Sequence, residues 1–236
     1  MYRKSAAFYD AIHSYKNYER EAQIVHKLIW RYRLSTGRRL LDVGCGTGRH
    51  IEHLQKDYAV IGLDVNPELL KIAHQRCPDV EFYEADMVDF ALGIQVDVIT
   101  CLFDAIGYVQ TLPRLQQALR VMKRHLRPGG VILIEPGPAL DEVHSGTLRT
   151  LCVEEPDRHV SCMILETVQG RAYRAEHHYL VGTPQDGVCY FSEQHNQGLF
   201  THDDYLGALY ENELDVVHER EGLTGRGLYI GIRPLD

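Results

Sequence analysis

The sequence contains no long apolar segment: none of its 236 residues belongs to a run approaching the roughly 20 residues that a bilayer-spanning helix needs. Residues 1–10 carry charge but precede no apolar block, so we expect no signal peptide and a cytoplasmic protein without a membrane partner. Internal repeats and low-complexity tracts are missing too. These absences leave a globular chain, 44% hydrophobic, whose length suits one α/β domain with an insertion or two small domains.

Positive charge is scarce, with 25 Lys and Arg against 33 Asp and Glu and a net charge of −8. Because non-specific binding to nucleic acid depends on clustered Lys and Arg, we expect no nucleic-acid partner. The six cysteines never stand at CxxC spacing, which indicates reduced, mostly buried thiols. No set of His, Cys, Asp and Glu has metal-ligand spacing, and no Ser-His-Asp order is legible, so metal and nucleophilic catalysis are not expected.

Short apolar strands alternate with amphipathic helices over the first 134 residues. Apolar strands at this spacing, with helices between them, predict a parallel sheet that is covered on both faces. The predicted strands are 39–43, 59–64, 80–83, 96–102 and 131–134, and the predicted helices are 18–32, a segment around Ile51 and Leu54, 67–77 and 112–126, closed by a turn at 127–130.

After Gly137 the pattern changes to β-type alternation over residues 150–197, which predicts an antiparallel insertion. A helix over 202–213, with Thr201 as its cap, and a strand pair at 215–219 and 228–232 complete the chain. The sequence therefore predicts an α/β fold: a doubly wound, mostly parallel, Rossmann-like sheet with a small antiparallel β insertion, as a single domain over 1–236.

Four acids stand at or just beyond the carboxyl ends of predicted strands: Asp42, Asp64, Asp86 and Asp104. They would surround the glycine turn 44–48 at the edge where open α/β sheets bind ligands. The turn alone is weak evidence, because such glycines let a helix N-terminus approach any nucleotide. Clustered carboxylates repel a pyrophosphate but suit S-adenosylmethionine, which carries a sulfonium, an ammonium and a ribose diol. The loop also has GxGxG spacing and not the GxGxxG of dinucleotide sites.

Taken together, the segment 42–48, the acid at Asp64, the Ala85-Asp86-Met87 step and the turn at 126–130 resemble the class I S-adenosylmethionine-dependent methyltransferases over about residues 20 to 135. The resemblance implies an enzyme with S-adenosyl-L-methionine as cofactor. Asp64 would accept hydrogen bonds from the ribose, and Asp86 with Met87 would hold adenine. The predicted cofactor-binding residues are Tyr18, Asp42, Gly44, Gly46, Gly48, Arg49, Asp64, Val65, Asp86, Met87 and Leu102.

Shorter motifs extend the likeness to nearly the whole chain. They are similar to those of the sugar N,N-dimethyltransferases, which methylate the amine of nucleotide-linked 3-amino-deoxysugars. These motifs are Tyr9-Asp10 and the segments 15–19, 103–108, 178–181, 198–201 and 225–229. The chain departs from that group at Gly137-Pro138, where such enzymes often place bulky aromatic residues after Glu-Pro.

On this interpretation the Tyr-rich segment 1–20 is a lid, and residues 150–197 contribute to the acceptor pocket. Tyr18 would reach the methionine end of the cofactor, with Arg49 or Lys16 near its carboxylate. The predicted substrate-binding residues are Tyr9, Tyr15 and Tyr108, as pocket walls, and Arg226, as a phosphate ligand; the predicted catalytic residues are His178, His195 and Asp104. Positioning would carry most of the catalysis, so no residue is expected to be an obligatory base.

Each candidate also has a purely structural interpretation. Asp64 could cap the helix that begins at Pro67, Asp42 could bind loop amides, and Asp86 with Met87 could be a simple turn. The tyrosines could be core residues, the two histidines could be structural, and Arg49 and Arg226 could be solvated surface residues.

Other functions stay open at this point. The chain could be an O-methyltransferase acting on a hydroxylated or carboxylic small molecule, an RNA methyltransferase, or a non-catalytic binder of S-adenosylmethionine. A homodimer formed through the β insertion is a further possibility, which rests on fold analogy.

Overall fold

The computed structural model describes residues 2 and 4–235. The helices are α1 (Tyr9–Ile12), α2 (Tyr18–Tyr32), α3 (Arg49–Leu54), α4 (Pro67–Arg76), α5 (Leu112–His125) and α6 (His202–Glu211), with 3₁₀ turns at Ser5–Phe8 and Ala105–Val109. The strands are β1 (Arg39–Val43), β2 (Ala59–Asp64), β3 (Glu81–Glu84), β4 (Val96–Cys101), β5 (Leu126–Ile134), β6 (Thr147–Glu155), β7 (Arg158–Gln169), β8 (Ala172–Thr183), β9 (Gly187–Gly198), β10 (Asp215–Glu219) and β11 (Leu228–Ile232).

The central sheet has seven strands in the order β10-β11-β5-β4-β1-β2-β3. The strands from β5 to β3 run parallel, while β11 joins β5 antiparallel and β10 joins β11 antiparallel. From β1 the chain order proceeds to β2 on one side, and β4 lies on the other side. This change of direction opens a crevice at the carboxyl ends of β1 and β4, where a ligand has room to bind.

Helices cover both faces of this sheet, as its apolar strands predict. The side chains of α5 and α6 pack against one face, with Leu119 and Leu209 fully buried. The side chains of α2, α3 and α4 pack against the other, where Ile29 and Ile51 are fully buried. Burial of apolar surface on both faces stabilises the sheet and fixes the strand ends that carry the acids.

The insertion forms a second, four-stranded antiparallel sheet in the order β6-β7-β8-β9. Its inward face packs with α1 around Tyr179, Cys162 and Val160 in a separate apolar cluster. Since side chains alternate between the two faces of a strand, the other face of this sheet is left uncovered among the described residues. The inward face therefore forms a roof over the carboxyl edge of the central sheet.

The predicted fold class is confirmed, and most predicted elements lie within one or two residues of the observed ones. The cap predicted at Thr201 is confirmed, and it forms a reciprocal capping box with Asp204. The helix α4 begins at Pro67 as predicted, and its cap is Asn66 and not Asp64. One prediction is wrong. Residues 127–130, predicted as a turn, belong to β5. Leu126 already pairs with Val96 of β4, and the register between the two strands shifts before Val131 pairs with Val98. Across residues 2 and 4–235, no helix is long and apolar enough to cross a membrane.

Candidate functional site

A cavity of about 980 Å³ lies between the carboxyl edge of the central sheet, the N-terminal segment and the roof formed by β6 to β9. All four predicted rim acids, Asp42, Asp64, Asp86 and Asp104, line it. Burial raises the pKa of Asp42 to about 6, and burial also raises the pKa of Asp64. A cationic ligand would stabilise the charged forms of these acids, whereas a phosphate would oppose them.

The glycine turn brings the backbone close to Asp64. One carboxylate oxygen, Oδ2, accepts a hydrogen bond from the Gly46 amide at 2.8 Å, and Oδ1 accepts one from the Asn66 amide at 2.9 Å. Gly46 adopts φ +55°, and a side chain built on it would project into open space. The turn therefore leaves a cradle beside a buried carboxylate, which fits a ribose held close to the backbone.

Gly48 does not line the cavity, unlike the other glycines assigned to the cofactor. It has φ +76°, and an added Cβ would lie 3.3 Å from Cβ of Ala73 on α4. The cofactor role of Gly48 stays a prediction, and its lack of a side chain lets α3 pack closely on α4.

Polar atoms without partners mark one end of the cavity. Oη of Tyr18 and Nε of Arg49 are buried and have no hydrogen-bond partner among the described residues. The Arg49 guanidinium lies 5.0 Å from the centre of the Tyr18 ring. Lys16, the alternative cation, is already paired with Glu21 at 2.8 Å, and Glu21 also binds His50 at 2.8 Å. Arg49 is thus the better placed of the two for an anionic group such as a carboxylate.

The remaining predicted cofactor residues also reach this end. Val65, Met87 and Leu102 line the cavity, and Gly44 follows β1 at φ +72°. Asp86 is about half exposed, and its Oδ2 accepts a hydrogen bond from Arg114 at 2.9 Å. Apolar side chains of these residues and the carboxylates of Asp64 and Asp86 line the same space. An apolar space with polar groups at its edge suits an adenosine.

Asp104 lies at the other end, just beyond β4. Its backbone has φ +59°, and Gln197 Nε2 on β9 donates a hydrogen bond to Oδ2 at 2.9 Å. Burial raises the pKa of Asp104 to about 7, while the positive charge of Arg226 acts in the opposite direction. A carboxyl with a pKa near neutrality can accept a proton from a reacting group and release it again.

A cluster of neutral rings lines the same cavity as Asp104. Nδ1 of His195 lies 3.0 Å from Oη of Tyr108, and its Nε2 is buried without a partner among the described residues. The rings of His195 and His177 are 4.5 Å apart, and Tyr2 lies against His195 as well. Burial lowers the pKa of His195 to about 4 and that of His177 to about 3. Both imidazoles are therefore neutral at physiological pH and are weaker proton acceptors than Asp104.

His178 is not part of this cluster, and the prediction that it faces the acceptor is corrected. Side chains alternate along β8, so Tyr173, His177 and Tyr179 line the cavity while His178 points to the uncovered face of the sheet. There its Nδ1 lies 2.7 Å from Oη of Tyr190.

The other predicted acceptor residues do line the cavity. Tyr9 and Tyr108 are half-buried, whereas Tyr15 is 70% exposed and lies at the mouth. Arg226, from the loop between β10 and β11, and Arg149, from β6, both act electrostatically on Tyr15. Arg149 forms an ion pair with the buried Glu166, whereas Arg226 has no ion pair among the described residues, so the guanidinium of Arg226 is the freer of the two for an anion such as a phosphate.

Sequence reasoning missed several lining residues. The alternation in β8 would have identified His177 and Tyr173, since they share a face with Ala175. No local signal marks Arg149 or Gln197, because their place depends on how the insertion folds back over the central sheet. The missed lining residues that carry polar or ionisable groups include Tyr2, His13, Arg149, Glu166, Tyr173, His177 and Gln197.

The N-terminal segment is attached to the glycine turn through Asp10. Its Oδ1 accepts a hydrogen bond from Thr47 Oγ1 at 2.7 Å, and Oδ2 forms an ion pair with Arg76 on α4. Arg76 also donates to the Thr47 carbonyl. The segment thus covers one side of the cavity.

Within residues 2 and 4–235, no group of three or more His, Cys, Asp and Glu side chains could hold a metal ion.

Comparison with known proteins gives a family match and full-length relatives. Residues 40–130 match a family described as "Methyltransferase domain". The chain is similar to a dTDP-4-amino-2,3,4,6-tetradeoxy-D-glucose N,N-dimethyltransferase from Saccharopolyspora spinosa, with 38% identity over 97% of this chain and 92% of the relative. It is also similar to a dTDP-3-amino-3,6-dideoxy-alpha-D-glucopyranose N,N-dimethyltransferase from Streptomyces fradiae, with 34% identity over 96% and 90%.

A solved structure agrees with this likeness. An amino pentose methyltransferase from Micromonospora echinaspora, bound to S-adenosylmethionine and involved in calicheamicin biosynthesis, superposes with a TM-score of 0.84. The sequence identity is 35%, and the match covers 96% of this chain and 95% of that one.

The Asp104 environment predicts a pH-dependent stability difference. Because its folded pKa, about 7, exceeds the ordinary value of 3.8, the folded chain binds more protons than the unfolded chain between these values. Wild-type unfolding free energy should therefore fall, relative to Asp104→Asn, as pH rises through this window, by on the order of a few kcal/mol. Denaturant unfolding at a series of pH values measures the difference, with Asp79→Asn, at an exposed position, as control. A difference that stays constant with pH would contradict the assignment.

Proposed function

We propose that this chain, which belongs to the S-adenosylmethionine-dependent methyltransferases and within them to the amino-sugar N,N-dimethyltransferases, methylates the amine of a nucleotide-linked amino sugar. The observation that carries the proposal is identity of 34–38% over nearly the full length to enzymes whose acceptors are dTDP-linked amino sugars. The amine stands at C4 of the sugar in one relative and at C3 in others, so either position is compatible with the chain.

S-adenosylmethionine is the cofactor, and the cavity residues fit it. We infer that Asp64 holds the ribose, that Asp86 and Met87 flank the adenine, and that Arg49 and Tyr18 bind the methionine carboxylate. The buried Nε of Arg49 and Oη of Tyr18, which have no partners among the described residues, support the last assignment. Asp42 accepts a hydrogen bond from Thr100 at 2.7 Å. Its pKa is raised, so a bound cation would favour its deprotonated form.

When bound, the cofactor supplies an electrophilic methyl group: the amine lone pair forms the new N–C bond, while the S–C bond breaks and its electron pair stays on sulfur. The chain's own residues then act on the amine. Asp104 accepts the proton that the newly methylated ammonium loses, so a neutral amine is available for the second methyl. His195, neutral and hydrogen-bonded to Tyr108, orients the acceptor. Positioning in a water-poor cavity supplies most of the acceleration.

The charge distribution at the mouth supports a nucleotide-linked acceptor. Arg149 and Arg226 lie there beside Tyr15, opposite the acid-lined cofactor end. We infer that their guanidinium groups bind the diphosphate, which Asp42, Asp64 and Asp86 at the cofactor end would repel, and that Tyr9 and Tyr108 line the sugar subsite. The two ends of the cavity thus separate a cation site from an anion site.

The N-terminal segment is, in this proposal, a lid that orders the cofactor subsite. Its contacts run from Asp10 to Thr47 and Arg76, and from Ser5 to Glu193 at its other side. The insertion of residues 150–197 serves as the acceptor-side roof, extended by a few residues at both ends into β6 and β9.

The uncovered face of the four-stranded sheet supports a homodimer. Five large apolar side chains are exposed on it: Leu148, Met163, Leu180, Val188 and Tyr190. Exposed apolar side chains that share one face of a sheet favour burial against a partner surface. A second copy presents the same face, so a two-fold contact would bury both.

The acceptor is tested with purified protein, S-adenosylmethionine and a panel of dTDP-linked 3-amino and 4-amino deoxysugars. We expect products with one and then two added methyl groups by mass spectrometry, and none from matched sugars that carry a hydroxyl in place of the amine. Methyl transfer to the hydroxyl would favour the O-methyltransferase alternative. Tight cofactor binding without transfer to any amine would favour the non-catalytic alternative.

The lid is tested by Asp10→Asn. Losing one charge-assisted contact to Arg76 should weaken binding of S-adenosylhomocysteine by roughly tenfold, because such hydrogen bonds contribute about 1.5–3 kcal/mol. Isothermal titration calorimetry measures the change. Glu19→Gln, on the exposed side of α2, is the matched control and should bind as the wild type does. Unchanged affinity in Asp10→Asn would rule out the lid contact.

The dimer is tested by light scattering after size-exclusion chromatography. The wild type should have twice the chain mass of 27.0 kDa, and Leu180→Arg should be a monomer. Leu34→Arg alters a side chain that is 58% exposed elsewhere on the chain and should leave the dimer intact. A monomeric wild type at micromolar concentration would refute the proposed contact.

A further inference from the structure

The carboxylate of Asp104 is enclosed by two glycines that approach it from different segments. A Cβ added to Gly137 would lie 2.2 Å from Oδ1 and 2.6 Å from Cγ of Asp104. A Cβ added to Gly107 would lie 2.7 Å from the same Oδ1. Because real Cβ contacts are essentially never shorter than 3.0 Å, neither position accommodates a side chain while Asp104 stays where it is.

Gly137 is not needed for its own backbone conformation. Its φ lies outside the left-handed region, in which glycine would be favoured. Alanine therefore fits the backbone there, and the three atoms nearest to its Cβ would all belong to Asp104. The lack of a side chain at Gly137 therefore leaves space for the carboxylate of Asp104.

Hydrogen bonds fix both the turn that carries Asp104 and one of its carboxylate oxygens. Glu135, at the end of β5, accepts a hydrogen bond from the amide of Phe103 at 2.6 Å and one from Thr224 Oγ1 at 2.8 Å. Gln197 Nε2 donates to Asp104 Oδ2 at 2.9 Å. The turn and one carboxylate oxygen are thus fixed, so the carboxylate cannot easily turn away from an added methyl group.

We propose that Gly137 is a positioning residue: by leaving out a side chain, it holds the Asp104 carboxylate in place at the acceptor end of the cavity. The inference rests on the proposed function only for its catalytic consequence, since the geometry stands without it. Gly107 closes the same site from the 3₁₀ turn. Asp104 is half-buried, and a methyl group at Gly137 displaces its carboxylate from Gln197 further into the cavity, where more water reaches it.

The effect of this displacement on the pKa of Asp104 depends on the groups around its carboxylate. Arg226 from the loop after β10 and Glu135 from β5 are the charged groups that act on it, with opposite effects. Its charge also acts on a set of neutral groups from the N-terminal segment, β4, the 3₁₀ turn, β8 and α6: Tyr2, Cys101, Tyr108, Tyr173 and Tyr205. Movement toward water reduces the desolvation of the carboxyl, which is the largest cause of its raised pKa, whereas loss of the Gln197 hydrogen bond acts in the opposite direction and is the smaller effect.

The test compares Gly137→Ala with Gly207→Ala in the full chain. Gly207 lies in α6, also outside the left-handed region, and a Cβ there meets nothing within 4 Å, so it is a matched control. Carbon-13 NMR of labelled aspartate carboxyls, with Asp104→Asn for assignment, measures the titration midpoint. We expect Gly137→Ala to lower the Asp104 midpoint by about one pH unit or more toward the ordinary value, and Gly207→Ala to leave it unchanged. An unchanged midpoint in Gly137→Ala would overturn the inference.

A double-mutant cycle adds a second readout through methyl transfer. Gly137→Ala should shift the pH profile of kcat/KM in the wild-type background and have no further effect in Asp104→Ala, where its Cβ has space. Equal losses in both backgrounds would contradict the inference. If Gly137→Ala alone fails to fold, the double variant should fold, and failure of both would contradict it as well. A lowered midpoint without methyl transfer to any amine would support the positioning role and reject the proposed acceptor.

Discussion

Burial of carboxylates at the carboxyl edge of the sheet is the constraint on which this site depends. Parallel strands place their ends on one edge, so Asp42, Asp64 and Asp104 meet in a single cavity. There desolvation raises the pKa of each of them, to about 6 for Asp42 and about 7 for Asp104. Acids with raised pKa values at this edge attract a cationic cofactor when they are charged. They can also accept the proton that a methylated amine loses.

Cation binding and proton acceptance are assigned to opposite ends of the cavity. At the cofactor end, amide hydrogen bonds hold Asp64 beside the glycine turn, and Arg49 offers a cation for a carboxylate. At the acceptor end, Asp104 has a pKa near neutrality, whereas the imidazole of His195 is held neutral by burial. The antiparallel insertion closes the space between them, because its inward face carries the rings and its β6 strand supplies Arg149.

The cofactor half was largely predictable from the sequence, and the acceptor half was not. Strand periodicity fixes where β1, β2 and β4 end, so the acids and most of the glycine turn were located correctly. For Gly48, spacing alone does not distinguish a ligand contact from the close approach of α3 to Ala73. His178 was misassigned because a strand's inward face depends on what it packs against, and a shift of one residue reverses it. The enclosure of Asp104 by Gly137 and Gly107 joins segments that no local pattern connects.

The central claim is that the buried acids favour a cationic, phosphate-free adenosine, and calorimetry tests it most directly. S-adenosylmethionine is titrated into the protein near the pKa of Asp42, about 6, in two buffers that differ in ionisation enthalpy. The account predicts tight binding with net release of protons, because a cation stabilises the charged carboxylates. Binding of ATP or NAD in preference to S-adenosylmethionine, or binding without any proton release, would contradict it.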